Sequence, residues 1–175
     1  CRLLSRVLAM THDTGVGQLM DVLHSKKPLP LLKLDDVSKA TILKTARYSF
    51  DGPLQVGAIL AGVDDAELQK LSKVALPLGE AFQLHDDIDD LESGVIEPAL
   101  PLMHAYTEAS AEQRSALLSG NAELVKATIQ QSGAIPHVKS TINTLQRQTK
   151  NAIDSLGMHL RERQALHELT ERLLE

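Results

Sequence analysis

Gly79-Glu80-Ala81-Phe82-Gln83-Leu84-His85-Asp86-Asp87-Ile88-Asp89-Asp90 places four carboxylates within five residues. Before and through it, Leu68, Leu71, Val74, Ala75, Leu78, Phe82, His85 and Ile88 recur three and four apart, which predicts one long helix with Asp64 or Asp65 as its N-cap. On that helix Gln83, Asp86 or Asp87, and Asp90 share a face. Acids there are unfavourable, because the C-terminal end of a helix carries partial negative charge. Two carboxylates about 6 Å apart also repel by roughly 3 kcal/mol at an effective dielectric near 20. A cation reverses the sign of both effects. All-oxygen ligands on one rigid face suit a hard ion, and Mg2+, which keeps waters and phosphate oxygens alongside a few carboxylates, fits best. The plainer alternative is a solvated acidic helix end that only terminates the helix.

The rest of the chain reads as helical too. Aromatic residues make up 2% of the 175 residues, and no sustained two-residue alternation is bounded by hairpin turns. A first helix covers about Arg2 to Leu23. Lys26-Lys27-Pro28-Leu29-Pro30 breaks the chain, and an N-cap near Ser38 opens the helix that carries Lys44. Asp51-Gly52-Pro53 then separates that helix from Leu54 to Ala61. After the acidic helix, Ser93-Gly94 and Glu97-Pro98 mark a loop. Short helices follow around Leu100 to Tyr106, Ala111 to Leu118 and Ala122 to Gln131. Ile135, Val138, Ile142, Leu145, Thr149, Ala152 and Leu156 form a regular seam interrupted only by Thr149, read as ordinary helix-helix packing and not as an independent coiled coil. Gly157 ends that helix, and an amphipathic helix through Leu166, Leu169 and Leu173 closes the chain.

Composition excludes several functions. A net charge of -5 without a basic stripe leaves nucleic-acid binding without support. The single cysteine, Cys1, excludes an internal disulfide framework and fits a reducing cytosol. No apolar run approaches a membrane span and no signal-peptide layout is present, so the expectation is a soluble, cytoplasmic protein. A hydrophobic content of 43% over this length supports one globular core, residues 1–175 forming a single domain or part of one.

Two upstream helices carry polar groups that could share a cleft with the acids. Gln18 and Asp21 lie about one turn apart; alone they read equally as a surface pair. Lys44, with Thr41, Thr45 and Tyr48 on adjacent faces, could bring an ammonium and a hydroxyl to one anion; alone it reads as a solvated helix lysine. The seven histidines show no metal-ligand spacing, and His85 reads as a spacer or a donor behind the acids.

Gly79-x-Ala-Phe-Gln-Leu-x-Asp-Asp-Ile-x-Asp resembles the second aspartate-rich motif of the trans-isoprenyl diphosphate synthases, the polyprenyl synthetase family. Gly17-Gln18-Leu19-Met20-Asp21 resembles the family's Gly-Gln-x-x-Asp motif. Lys44-Thr45-Ala46-Arg47-Tyr48-Ser49-Phe50, with Pro53-Leu54 and Gly57 to Gly62, resembles its Lys-Thr segment. The three occur in the family's order. The resemblance implies an all-α helical bundle of the isoprenoid synthase type and a Mg2+-dependent prenyl transfer. An allylic prenyl diphosphate would condense with isopentenyl diphosphate to a longer trans-prenyl diphosphate. It further implies that Asp86, Asp87 and Asp90 hold Mg2+, that Lys44, Thr45 and Gln83 contact the allylic diphosphate, and that Gln18, Asp21 and Phe82 also bind substrate. Lys44 and Asp86 would carry the catalytic roles, and the protein would be a homodimer.

Two departures qualify the resemblance. The family's first aspartate-rich motif has no counterpart here, since neither Asp35-Asp36 nor Asp64-Asp65 is followed by a matching third acid. The chain is therefore expected to be the C-terminal portion of such an enzyme, lacking its N-terminal helices and incomplete for catalysis as it stands. The loop after Asp90, Ser93-Gly94-Val95-Ile96-Glu97-Pro98-Ala99-Leu100-Pro101, is short and has no lysine, where family members carry two. Two alternatives follow. A class I terpene cyclase also ionises prenyl diphosphates with Mg2+, but two Phe, two Tyr and no Trp give few aromatic rings to hold a migrating cation. A non-catalytic subunit pairing with an active synthase would keep the same helical fold.

Overall fold

The longest helix organises the packing of the others. The structure is a computed structural model that describes residues 2–174, and its elements are helical throughout this range. Helix α1 (Arg2–Lys26) leads through a 3-10 turn at Leu29–Leu31 to α2 (Leu34–Thr41), a π-helical segment (Ile42–Asp51) and α3 (Gly52–Leu60). The central helix α4 (Asp65–Ser93) is followed by α5 (Leu100–Glu108), α6 (Ala111–Leu117), α7 (Ala122–Gln131), α8 (Ala134–Asp154) and α9 (Leu160–Arg172).

Both ends of α4 are written in the sequence. Asp64 accepts a hydrogen bond from the Glu67 amide at 2.9 Å, satisfying a donor that the first turn leaves free. Gly94, at φ 95°, ends the helix in the left-handed region, and the Val95 amide returns to the Asp90 carbonyl at 2.8 Å, the bond that closes a Schellman cap. Between these ends α4 is covered on two sides. Ala81, Leu84 and Ile88 pack against Val138, Ile142 and Leu145 of α8. On the other side Gly79 meets the π segment so closely that a Cβ there would stand 2.6 Å from the Ala46 Cα and 2.8 Å from the Phe50 ring. Gly79→Val should therefore push the two elements apart and lower stability by about 2 kcal/mol, read as a shift of the urea midpoint; an unchanged midpoint would remove this account of the packing.

Three features differ from the sequence reading. Helix α2 starts at Leu34 and has no side-chain cap; Ser38 lies inside it, and Asp35 and Asp36 in the first turn supply the favourable charge at its N-terminus instead. Asp51-Gly52-Pro53 does not break the chain. Gly52 is helical at φ -60°, ψ -57°, and its amide donates to the Arg47 carbonyl five residues back. The bonding register changes from i→i+5 to i→i+4 there, and Pro53, which has no N–H, sits at the change. In α8 the buried line runs Ala134, Val138, Ile142, Leu145, Thr149, Ile153, so Ile153 takes the place expected for Ala152. A straight helix drifts from a strict 3.5-residue seam, and the next inward position after Thr149 is four residues on.

Candidate active site

Three helical elements converge below the acidic end of α4. Gly17 lets α1 approach the π segment: a Cβ on it would lie 2.6 Å from the Lys44 amide nitrogen. Asp21, one turn further along α1, is thereby within reach of Lys44, whose Nζ donates to Asp21 Oδ1 at 2.9 Å. Adjacent Thr45 turns to α4 instead, and its Oγ1 donates to Gln83 Oε1 at 2.7 Å. The π-helical winding matters to this pair. Each residue advances through a smaller angle than in an α-helix, so consecutive side chains diverge less, and Lys44 reaches Asp21 while its neighbour reaches Gln83. Gln83 completes the line, donating from Nε2 to Asp86 Oδ2 at 3.2 Å and to Asp87 Oδ1 at 3.1 Å.

Asp21, Lys44, Thr45, Gln83, Asp86 and Asp87 are thus joined across three elements. A cleft of about 130 Å³ is lined by Asp21, Thr41, Lys44 and Asp87 together with Glu97 and Ala99 of the loop after α4. Asp90 lies beside it, lining with Asp87 and Glu97 a void of about 20 Å³, room for about one water. Phe82 does not line the cleft. Its ring meets Phe50 with centroids 5.4 Å apart, so it fastens α4 to the π segment from the apolar side. Gln18 is exposed and stands outside the network.

The charges in the cleft are unequal in their surroundings. Burial pushes the Asp87 carboxyl up to about 6; its bond from Gln83 and the nearby Lys44 oppose that rise, while Asp86 and Asp90 reinforce it. Asp86 is exposed. The cleft therefore holds one desolvated acid between an exposed acid and a lysine already shared with Asp21.

Comparison with known proteins decides the family, for the polyprenyl synthetase profile matches residues 1–131. The chain belongs to the polyprenyl synthetase family. It is 35% identical over 130 residues to farnesyl pyrophosphate synthase of Saccharomyces cerevisiae, covering 62% of this chain and 35% of that protein. With octaprenyl diphosphate synthase of Escherichia coli it shares 28% identity over 173 residues, 87% of this chain and 51% of that one. The chain thus spans about a third to a half of the length of these curated relatives. In fold it is similar to geranylgeranyl pyrophosphate synthase of Corynebacterium glutamicum, solved with isoprenyl diphosphate and magnesium. The TM-score is 0.88 at 23% identity, over 99% of this chain and 55% of that one. The architecture is the all-α isoprenoid synthase fold.

The donor set of this polyprenyl synthetase chain suits Mg2+. Asp86, Asp87 and Asp90 offer only oxygen, and among the described residues no three His, Cys, Asp or Glu side chains close around one point.

Sequence reasoning missed a second polar centre. Asp51, 3% exposed, accepts from Arg6 at 3.1 Å, Gln55 Nε2 at 2.7 Å and Ser72 Oγ at 2.6 Å. It ties α1, the π segment, α3 and α4 together at the end away from Asp86. The i,i+4 spacing of Asp51 and Gln55 is the available signal, and the Gly52-Pro53 pair, which resembles a helix break, hides it. Glu97 was missed as a cleft residue, since loop geometry has no period to read.

Proposed function

We propose that the complete protein is a Mg2+-dependent trans-prenyltransferase that condenses an allylic prenyl diphosphate with isopentenyl diphosphate. One observation carries this reading: a cation, a hydroxyl, an amide and three carboxylates from three helical elements meet beside a cleft, in two hydrogen-bonded sets joined through the adjacent residues Lys44 and Thr45. Loss of the allylic C–O bond leaves a carbocation on carbon and negative charge on the departing diphosphate. Lys44 holds a positive charge where that anion gathers, and Thr45 adds a short polar contact beside it. Gln83 is a positioning residue, with its amide oxygen engaged by Thr45 and its amide nitrogen holding Asp86 and Asp87 side by side. Asp86, Asp87 and Asp90 would hold Mg2+, which when bound neutralises diphosphate charge. The double bond of isopentenyl diphosphate supplies the electrons of the new C–C bond, and loss of a proton restores neutrality at carbon.

The family membership, the three ordered motifs and the fold support this reading. As one domain, residues 1–175 would contribute the second acidic helix to a homodimeric, cytoplasmic enzyme. Among the described residues no helix is long and apolar enough to cross a membrane. A second reading has its own observation: Glu97, an acid, lines the cleft in a loop without lysine. That favours a subunit that depends on an active synthase for turnover. The decisive assay follows longer prenyl diphosphates formed by the complete protein from labelled isopentenyl diphosphate and an allylic diphosphate. Product is expected with Mg2+ and none with excess chelator. Product only after addition of a separate synthase would favour the second reading, and product undiminished by chelator would overturn both.

A further inference from the structure

Away from the acidic cleft, the rings of His104 on α5 and His137 on α8 are in contact, with centroids 3.8 Å apart and planes 57° from parallel. Neutral imidazoles tolerate that contact. Two imidazolium rings at the same separation repel, and they would do so at a joint between two helices. We propose that His104 and His137 form an acid-sensitive clasp that holds α5 to α8 and, on protonation, frees the loop lining the Asp21–Lys44–Asp87 cleft.

Connectivity makes the joint consequential. Glu97, Pro98 and Ala99 line that cleft, and Ala99 is also the cap position of α5, its carbonyl accepting from the Met103 amide at 3.0 Å. Movement of the first turn of α5 therefore carries the cleft-lining loop with it. The apolar anchors of α5 lie on another face: Leu102 and Ala105 are buried with Leu91, Leu117, Val125 and Ile129. Release of the histidine contact would loosen one edge of α5 and leave its core anchored.

The surroundings of the pair set the direction. Burial first, and then His137, hold His104 below the ordinary histidine value of 6.5, while Glu108, one turn along the same helix, pulls it upward. Among the described residues, no charge from α2, α4, α6 or α7, the other helices packed against α5, adds to this shift. A histidine held low in the folded chain contributes stability above its unfolded value. That contribution is lost as pH falls from about 6.5 through the lowered folded value. The clasp is closed at neutral pH and opens under mild acid.

Hydrogen exchange tests it in the full chain, with protection factors corrected for intrinsic exchange at about pH 7.5 and about pH 5.5. The α5 amides of the wild type should lose protection at the lower pH, while amides in the C-terminal half of α8 do not change. His137→Gln removes one charge from an exposed position, and His137→Phe keeps a ring there without a charge. Both variants should lose less α5 protection than the wild type between the two pH values, keeping only the part that burial of His104 imposes, and the His104 ring signal should titrate nearer 6.5 in His137→Gln. Equal losses in the wild type and both variants, or no loss in the wild type, would overturn the proposal.

Discussion

Lys44→Ala is expected to lower prenyl transfer by the complete protein about 10²- to 10³-fold, with little change in its melting temperature. Two features separate the effects. The side chain of Asp21, the partner of Lys44 at 2.9 Å, is 40% exposed, so water replaces the lost ammonium and no charge is stranded. The departing diphosphate has no such substitute, because in the described cleft lining Lys44 is the only lysine or arginine. Lys44→Arg should recover only part of the loss, since a broad planar fork does not replace a compact charge beside Thr45. Asp86→Ala should lose activity to a similar degree for the complementary reason: an exposed carboxylate held by Gln83 is dispensable to packing. Steady-state rates and melts on the same preparations separate activity from folding. Turnover of both alanine variants within about threefold of the wild type would remove the assigned roles of these residues.

Much of the fold is readable because helix α4 states its own limits. Spacing of three and four from Leu68 to Ile88 requires a helix, Asp64 caps it, and Gly94 supplies the left-handed residue that stops it. The same arithmetic places Asp21 one turn beyond Gly17, and Gln83 beside both Asp86 and Asp87. Four features lie outside that arithmetic. Nothing in Ile42 to Asp51 distinguishes i→i+5 from i→i+4 bonding, since both accept the same residue types; yet the difference sets how far Lys44 and Thr45 diverge toward Asp21 and Gln83. Phe82 shows the limit of carrying roles over from motifs: its neighbour Gln83 faces the aspartates, while Phe82 itself faces Phe50. Gln18, paired with Asp21 on paper, lies on the open side of α1, where helical spacing alone cannot tell cleft from solvent. The buried Asp51 centre joins residues up to 45 positions apart, and such distant partners have no local signature.

Asp87→Asn should make the chain more stable at neutral pH while impairing its proposed chemistry. In the folded chain the Asp87 carboxyl keeps its proton to about 6, against the usual value of 3.8. Below about 3.8 the group is protonated whether the chain is folded or not, and its contribution to stability is fully present. As pH rises from there the unfolded chain releases the proton first, so stability declines until about 6 and stays low above it. The gap between the two values sets a ceiling of about 3 kcal/mol. Asparagine has no proton to release, and its amide oxygen can still accept from Gln83. The variant should therefore match the wild type near pH 4 and exceed it by about 1–3 kcal/mol near pH 8, with the difference growing between those limits. Urea unfolding of both proteins across this range measures it. A difference that is absent at pH 8, or independent of pH, would mean that Asp87 is not the desolvated acid described here. Adding Mg2+ with inorganic diphosphate should then narrow the gap by stabilising the wild type alone, because the charge that burial disfavours is the one a cation would use. A carboxylate retained at such a cost to the fold is what a binding site requires, and a solvated helix end would have no reason to keep it.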